Sequence, residues 1–436
     1  MRTLDRRAVR NAFIGYAAIS LGVMAVIFAT VHRAPLDPAR PPRWLDTIER
    51  WQREGYFKQG GMQFDTYEQL AGFGYRPPPA SAIKPTTVFA WKNTTMAWLQ
   101  GANIVERLYH SITGRFSARL MVLHHQTIIA ASSTLLALLA MLLAEALGLE
   151  RRAAFLLGLS CLVAHQTFQL NLYEYLDFYP APVVVLLALA FLVVDAAEKL
   201  SLWRQPSLGV SQFVLGFLMV YVEPVTSGLF LAGYLAVRWL LDPQRFRWRD
   251  CVLMLLAPAV MAFVILRLQR ALVSANYPDV IFVGSDLGFR TGLDGDVAYY
   301  FNQWDLLTRR FINTSVHTDL AALCRWGTLF VGGAISIAVL LAVYVRESVS
   351  RYPVQVVLNL VGLSIPFVYI FSQAAVIHPY EYDLFAVLPC ILSLFCVLPA
   401  YIESRRPTGV LVLISVVSSC CFAMVHLRTY AAVFQW

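Results

Sequence analysis

The sequence predicts an all-α polytopic membrane protein with about eleven transmembrane helices and two large outer loops that carry amphipathic surface helices. The first observation is composition: 58% of the 436 residues are hydrophobic, only 14% are charged, and the mean hydropathy is +0.59. About a quarter of the residues of a soluble protein would be charged. The second observation is that the connectors between apolar runs alternate between two kinds. One kind is short and arginine-rich, and the other holds nearly all the carboxylates, histidines and tyrosines.

The predicted spans follow from apolar runs that approach the length of about 20 residues needed to cross a bilayer. They lie near 12–31, 120–148, 153–168, 181–197, 208–222, 226–241, 251–270, 326–346, 354–374, 384–401 and 408–427. Four arginines precede the first run, which lacks a convincing small-residue cleavage site. We therefore predict a retained first span and a single polytopic domain over 1–436.

The run from Gly209 to Leu241 is too long for one helix, and Glu223-Pro224 interrupts it near its middle. Splitting it into two short antiparallel helices places every later arginine cluster on the side of the amino terminus. The positive-inside rule assigns that side to the cytoplasm. A single helix kinked at Pro224 is the alternative. With abundant arginine and scarce lysine, a bias typical of GC-rich genomes, we predict a bacterial cytoplasmic (inner) membrane protein with a cytoplasmic amino terminus.

Two connectors are too long to be turns, and both fall on the outer side: 32–117 and 272–325. In the first, Trp44, Ile48 and Trp51 recur at helical spacing with charged residues between them, which is typical of a helix lying on the membrane surface. A second such helix is predicted from about Thr95 to Ile112. Its apolar stripe consists of Trp98, Ala102, Val105, Tyr109 and Ile112.

The outer connectors hold the residues that are able to do chemistry. Glu223 lies at the apex of the two short helices, and a carboxylate at membrane depth is costly unless it is paired or lines a wet cavity. Glu174 and Asp177 lie in a tyrosine-rich stretch at a span boundary, where solvated acids in an aromatic belt are an equally good interpretation. His378 begins a short connector that also contains two carboxylates, for which a solvated turn is as good a reading.

The remaining polar motifs are weaker. For His124-His125-Gln126, at the outer start of the second span, interfacial packing is the favoured interpretation, because adjacent histidines on a helix point about 100° apart. Arg290, Arg309 and Arg310 suit bidentate phosphate contact. The sequence contains no P-loop, GxSxG or HExxH motif. Nucleic acid is excluded as a partner, because the basic residues behind the net charge of +8 are spread over loop ends.

This layout resembles that of the GT-C glycosyltransferase superfamily, integral-membrane enzymes that use polyprenyl-phosphate sugars. The shared features are a retained first span, a long first outer loop that opens with a surface helix over 44–51, about ten further spans and a second large outer loop. The segments 60–62, 74–76, 171–180 and 221–224 are also similar to uncharacterised bacterial members.

The resemblance implies a transferase of the cell envelope that moves a sugar from a polyprenyl-phosphate donor to a lipid, glycan or protein acceptor, within membrane lipids. Members place a catalytic acid in the first outer loop, often within an adjacent acidic pair. This chain has no such pair, and the nearest candidates are Asp37, Asp46 and Glu49. We favour Asp46 as the base of an inverting reaction, with Glu49 and Glu223 as further catalytic candidates.

The resemblance also implies a substrate-binding set. Its predicted members are Glu174, Asp177, Tyr75, Arg76, Arg290, Arg309, Arg310 and His378. Arg290 would hold the lipid phosphate, with the other arginines or the histidine in support. Glu174, Asp177 and Glu223 would bind sugar hydroxyls or a divalent metal ion, which some members use.

Three alternatives stay open. The first is a transporter or flippase of a lipid-linked or small polar substrate, because carboxylates near a broken helix are also typical of transport sites. A polysaccharide polymerase or ligase would depend on outer-loop arginines more than on a first-loop acid. A non-enzymatic envelope scaffold would tolerate single carboxylate changes.

Overall fold

The computed structural model describes residues 6–31, 43–68, 79–95, 100–169, 181–199, 208–241, 246–283 and 388–433. Within these ranges the protein is mostly helical, at 81% of the residues. Three helices are long and apolar enough to cross a membrane: Arg6–Val26, Leu123–Ala146 and Val252–Asn276. Shorter apolar helices occupy Pro182–Ala196, Gly209–Val222, Leu388–Glu403 and Val410–Val425.

The elements run in the following chain order. They are α1 (Arg6–Val31), α2 (Arg43–Glu54), β1 (Met62–Asp65), β2 (Val88–Thr95), α3 (Gln100–Thr113), α4 (Ala118–Ala146), α5 (Arg151–Phe168), α6 (Ala181–Lys199), α7 (Leu208–Val222), α8 (Pro224–Leu241), α9 (Trp248–Cys251, the π-helical turn Val252–Leu256 and Ala257–Asn276, continuous), β3 (Val280–Val283), α10 (Leu388–Glu403) and α11 (Val410–Val433). Helices occupy every predicted span within the described ranges. The predicted spans 326–346 and 354–374 lie outside them.

Helix α4 lies at the centre of the helical core. It packs against α1, α5 and α6, while α11 packs on α5 and α7 joins α6 to α9. Helices α4 and α5 approach closely at Gly158, where a Cβ atom would lie 2.7 Å from the Ala137 carbonyl oxygen. The Cys396 thiol of α10 donates to the Ala140 carbonyl of α4 at 3.2 Å, so α10 belongs to the same core.

Helices α7 and α8 form an antiparallel hairpin that breaks at Glu223. The Gln212 amide donates to the Tyr234 hydroxyl at 3.5 Å, and a Cβ atom on Gly216 would lie 3.8 Å from Leu231 Cδ1. Both pairs are nearly symmetric about residue 223, whereas one continuous helix would place Gln212 and Tyr234 about 33 Å apart. The predicted split at Glu223-Pro224 is confirmed, and the kinked single helix is excluded.

The two long connectors form a three-stranded sheet that the all-α prediction did not include. Strands β1 and β2 come from the first connector, and β3 comes from the second. Strand β1 pairs antiparallel with β2, and β2 pairs parallel with β3, in the order β1-β2-β3. Strand β3 follows directly after α9, with Phe89 opposite Ile281. The sheet therefore joins the first long connector to the beginning of the second.

The two predicted surface helices pack against each other. Ile48 and Trp51 of α2 are buried against Ala102 of α3. Burying a side chain such as Ile48 contributes roughly 1.5 to 3 kcal/mol. The amphipathic character of α2 is confirmed. Its apolar stripe packs against α3 of the same protein.

Helix α3 differs in extent and in face from its prediction. Its described part is Gln100–Thr113, whereas Thr95, the predicted start, belongs to β2. The predicted stripe residue Trp98 lies outside the described ranges. Of the predicted stripe, Ala102 is buried whereas Ile112 is 83% exposed. The apolar side chains of Ile104, Leu108 and Ile112 form an exposed stripe, and the buried face instead carries Ala102 and Glu106.

Candidate functional site

The structure describes the three residues predicted as catalytic: Asp46, Glu49 and Glu223. The predicted substrate-binding residues all lie outside the described ranges. They are Glu174, Asp177, Tyr75, Arg76, Arg290, Arg309, Arg310 and His378. The site is therefore built from the first long connector and from the helix ends that it contacts.

Asp46 and Glu49 lie on α2, three residues apart, which places them on neighbouring positions of one helix face. Asp46 is accessible to solvent, and the strand residue Asp65 is buried close to it. Partial burial raises the pKa of Asp46; the Arg50 guanidinium opposes this shift and the Asp65 carboxylate adds to it. The Gln63 amide holds Asp65 by donating to its two oxygens at 3.1 and 3.4 Å.

A third carboxylate, Glu106 of α3, faces Glu49 and is fully buried. Burial raises the pKa of Glu106, which the backbone N–H of Ser117 lowers and Glu49 raises. Partial burial also raises the pKa of Glu49, with Asp46 adding to the shift and with Arg53 and His110 opposing it. Three carboxyl groups with raised pKa values thus lie near one another, with Glu49 interacting with Asp46 on its own helix α2 and with Glu106 on α3.

Glu106 was not singled out from the sequence. Its Oε2 accepts the Ser117 N–H at 2.9 Å, which ties α3 to the start of α4, and its Oε1 has no hydrogen-bond partner among the described residues. His110 follows one turn later and stacks on Phe116 with ring centroids 4.3 Å apart. The signal that could have identified Glu106 is its spacing of four from Ala102 and from His110, which puts all three on one helix face.

Glu54, at the end of α2, is a carboxylate of a different kind. The Tyr277 hydroxyl donates to its Oε2 at 2.8 Å and the Gln59 amide at 2.9 Å. Burial alone would raise the pKa of Glu54, but the hydrogen bonds from Tyr277, Arg53 and Gln59 outweigh it and lower the pKa. Burial and Glu54 together raise the pKa of Tyr277 to about 12. The lowered pKa favours the ionised form of Glu54. Its hydrogen bond with Tyr277 forms a joint between α2 and the end of α9.

Gly60 allows the first long connector to pack closely against α9. Its φ is +56°, and a Cβ atom there would lie 2.7 Å from the Gln269 carbonyl oxygen. The Gln269 amide donates to the Tyr221 hydroxyl at 2.5 Å, two residues before Glu223. Glu223 is buried at the α7–α8 break. It is thus connected to the connector indirectly, through Tyr221 and Gln269.

A second joint fixes the other side of the sheet. Lys84 donates to Asp279 at 2.6 Å, and the Thr86 hydroxyl donates to the other Asp279 oxygen at 2.7 Å. These hydrogen bonds lower the pKa of Asp279. With the parallel pairing of β2 and β3, they make the first long connector and residues 277–283 one folded unit.

Among the residues that the structure describes, no group of three or more His, Cys, Asp or Glu side chains is arranged to hold a metal ion. The fold and the site define a mostly helical protein with helices apolar enough to cross a membrane and with a folded connector that gathers carboxylates at one end of them. No protein-family model, no curated protein and no solved structure matches the chain.

Proposed function

We propose that this chain is a GT-C-like membrane glycosyltransferase that moves a sugar from a polyprenyl-phosphate donor to a lipid, glycan or protein acceptor at the outer face of the bacterial inner membrane. The observation that carries the proposal is the group formed by Asp46 and Glu49 of α2 and Glu106 of α3. All three carboxyl groups have raised pKa values at the end of an apolar helical bundle.

A raised pKa makes a carboxylate a better base. In inverting transfer the base takes the proton of the acceptor hydroxyl as that oxygen attacks the anomeric carbon, and the lipid phosphate leaves. Asp46 suits this role better than Glu106, because Asp46 is accessible to solvent whereas Glu106 is fully buried. Glu49 lies between them and sets the local negative charge.

The joined connectors support a shared site for acceptor and donor. The second long connector, which contains Arg290, Arg309 and Arg310, leaves the folded unit at β3. An arginine in that connector would stabilise the departing phosphate. No metal ion is needed for this proposal, and a divalent ion stays an expectation of the resemblance alone.

The exposed stripe of α3 supports a position at the membrane surface. Ile104, Leu108 and Ile112 are spaced four residues apart and point away from the folded unit. Exposed apolar side chains on one helix face are typical of a helix that lies in the lipid interface. At that depth the carboxylates would meet the phosphate-linked sugar of a lipid donor.

The test is transfer of labelled sugar from a panel of polyprenyl-phosphate donors in membranes that contain the protein. Asp46→Asn should lower donor-dependent transfer by roughly a hundredfold or more, the usual contribution of a general base. Glu150→Gln is the matched control, because it also replaces a carboxylate by an amide, and Glu150 is exposed and makes no side-chain cap hydrogen bond. Transfer that is unchanged in Asp46→Asn, Glu49→Gln and Glu223→Gln would reject this site.

A transporter or flippase is the second candidate, because Glu223 is buried at a break between two apolar helices. Broken helices with buried polar groups are typical of transport sites. Uptake or flipping that is lost in Glu223→Gln but kept in Asp46→Asn would favour this candidate. Loss of transfer in an Arg290→Ala variant, with Asp46→Asn mild, would favour a polymerase or ligase.

A further inference from the structure

Helices α4 and α5 face each other with two stripes that carry polar side chains. On α4 the stripe contains Gln126, Ser133 and Ala137, and on α5 it contains Gly158, His165 and Gln169, at spacings of seven and four that keep each set on one helix face. Two contacts define the antiparallel register: Ala137 lies against Gly158, and Ser133 lies against His165. Gln126 and Gln169 each lie eleven residues from the Ala137–Gly158 contact, so the antiparallel register places them at about the same level.

Most of the polar groups in this interface are satisfied. The Ser133 hydroxyl and a His165 ring nitrogen are 2.8 Å apart, and the other ring nitrogen lies 2.8 Å from the Gln169 amide nitrogen. On the side of α1, the Ser20 hydroxyl donates to the Gln166 amide oxygen, and the Gln166 amide nitrogen donates to the Ser20 backbone carbonyl, both at 2.9 Å. These pairs explain why serine, histidine and glutamine are tolerated between apolar helices.

The layer of Gln126 and Gln169 is different. Gln126 is 0% exposed, and neither its amide nitrogen nor its amide oxygen has a hydrogen-bond partner among the described residues. The amide oxygen of Gln169 is likewise buried without a partner among them. Leaving buried polar atoms unpaired is unfavourable, because they lose their hydrogen bonds to water. The three unpaired atoms are therefore the groups in this interface that a ligand would satisfy.

The chemistry of the layer selects a neutral ligand. The facing stretches 126–137 and 158–169 contain no Asp, Glu, Lys or Arg. Amide groups offer both a donor and an acceptor, which matches a hydroxyl group, since a hydroxyl also donates and accepts. A phosphate or a carboxylate would find no positive charge here.

The layer is also linked to the first long connector through α4. A Cβ atom on Gly101 of α3 would overlap the His124 ring, so α3 rests on α4 two residues from Gln126. The Glu106 carboxylate accepts the Ser117 N–H at the start of the same helix. The helix that carries Gln126 therefore contacts α3, the helix that carries Glu106 of the carboxylate group.

We propose that Gln126 and Gln169, with His165 beside them, form a binding site for neutral sugar hydroxyls inside the helical bundle. The inference rests on the proposed glycosyltransferase function and deepens it, because it assigns the residues that recognise the donor's sugar. Gln126 would donate to one hydroxyl and accept from another, and Gln169 would accept from a third through its free amide oxygen. The sugar would then be held on the bundle side of the charged connector, because α3 and Glu106 contact the helix that carries Gln126.

The test compares two lipids on the full-length protein in detergent by native mass spectrometry. The probes are a polyprenyl-phosphate hexose, taken from a panel of neutral sugars, and the same polyprenyl phosphate without a sugar. The protein should bind at least one of the sugar-bearing lipids about tenfold more tightly, as three hydrogen bonds to neutral groups at the low end of their usual net strength predict. Gln126→Leu should lose most of this preference, because Gln126 would make two of the three hydrogen bonds, and it should leave binding of the bare lipid phosphate unchanged.

Two controls separate recognition from folding. Gln212→Leu also removes a buried glutamine, but one whose amide already donates to Tyr234, so it should keep the tenfold preference. The melting temperature of Gln126→Leu should not fall, because leucine replaces an amide that lacks partners among the described residues. If Gln126→Leu does not fold, Gln126→Met provides the same comparison.

The proposal is overturned if the protein binds no sugar-bearing lipid of the panel better than the bare lipid phosphate, or if the preference survives in Gln126→Leu. Binding requires no turnover, so the outcome is independent of the transfer assay. A preference that depends on Gln126, in a protein without transfer activity, would keep the site and reject the glycosyltransferase function. Transfer activity without such a preference would keep the glycosyltransferase function and reject the site at Gln126 and Gln169.

Discussion

Gly60 is the residue on which the contact between the first long connector and α9 depends. Gly60→Ala should destabilise the protein by about 1 to 3 kcal/mol, through a strained positive φ and through a Cβ atom 2.7 Å from the Gln269 carbonyl oxygen. Gly114→Ala is the matched control, because Gly114 has φ +68° and nothing within 4 Å of its Cβ position. Thermal unfolding in detergent measures both variants. Equal losses of stability would show that the contact with α9 contributes nothing.

Asp46 provides a prediction about pH. A base must be deprotonated, so kcat/KM should fall as the pH drops through the raised pKa of Asp46. Asp65→Asn removes a repelling charge, which lowers the pKa of Asp46 and should shift the acid limb to lower pH. Arg50→Gln removes an attractive charge and should shift it to higher pH. The pH profile of donor-dependent transfer measures both shifts, and movement in the same direction would contradict Asp46 as the base.

At the scale of elements, the joint between α2 and α9 links the two long connectors. Tyr277→Phe removes the hydrogen bond to Glu54, and a bond to a charged group contributes roughly 1.5 to 3 kcal/mol. Because the folded pKa of Glu54 lies below its ordinary value of 4.5, this stability is present above that pH and is lost as the pH falls through the folded pKa. A double-mutant cycle of Tyr277→Phe with Glu54→Gln, measured by unfolding at neutral and acidic pH, tests the joint. A coupling energy near zero at neutral pH would refute it.

The α7–α8 hairpin provides a second prediction for an element. Cysteines introduced in place of Gln212 and Tyr234 should be joined by a short bifunctional reagent, because the native side chains are 3.5 Å apart. The matched comparison is each single cysteine variant, which should give no internal product. A continuous helix would separate the two positions by about 33 Å. Absence of the product under conditions that label both cysteines would contradict the hairpin.

For the whole molecule, the predicted topology places the first long connector on the outer side and the turn between α10 and α11 on the cytoplasmic side. Ala82 lies on the exposed part of the first long connector, and Arg406 lies in the exposed turn between α10 and α11. In intact spheroplasts a membrane-impermeant maleimide should label Ala82→Cys, whereas Arg406→Cys should react only after permeabilisation. The unsubstituted protein measures the background from its native cysteines. Labelling of Arg406→Cys in intact cells would reverse the predicted orientation.

The sequence by itself determined the positions of most of the apolar helices. Hydrophobic length and helical spacing are local properties, so the helices α4 to α9 could be predicted, as could the break at Glu223 and the amphipathic helix α2. The candidate carboxylates Asp46 and Glu49 came from the resemblance to GT-C enzymes, and the helical spacing placed them on α2. Their function stays a prediction, since it depends on the proposed donor.

Only the tertiary structure decided which segments meet. Strand β3 pairs with β2 although Phe89 and Ile281 are remote in sequence, and a four-residue strand carries too weak a pattern to be predicted alone. Burial of Glu106 and of Gln126 likewise depends on neighbours from other helices. A polar side chain becomes a candidate ligand group only when packing removes it from water without supplying a partner, and that condition is a property of the assembled fold.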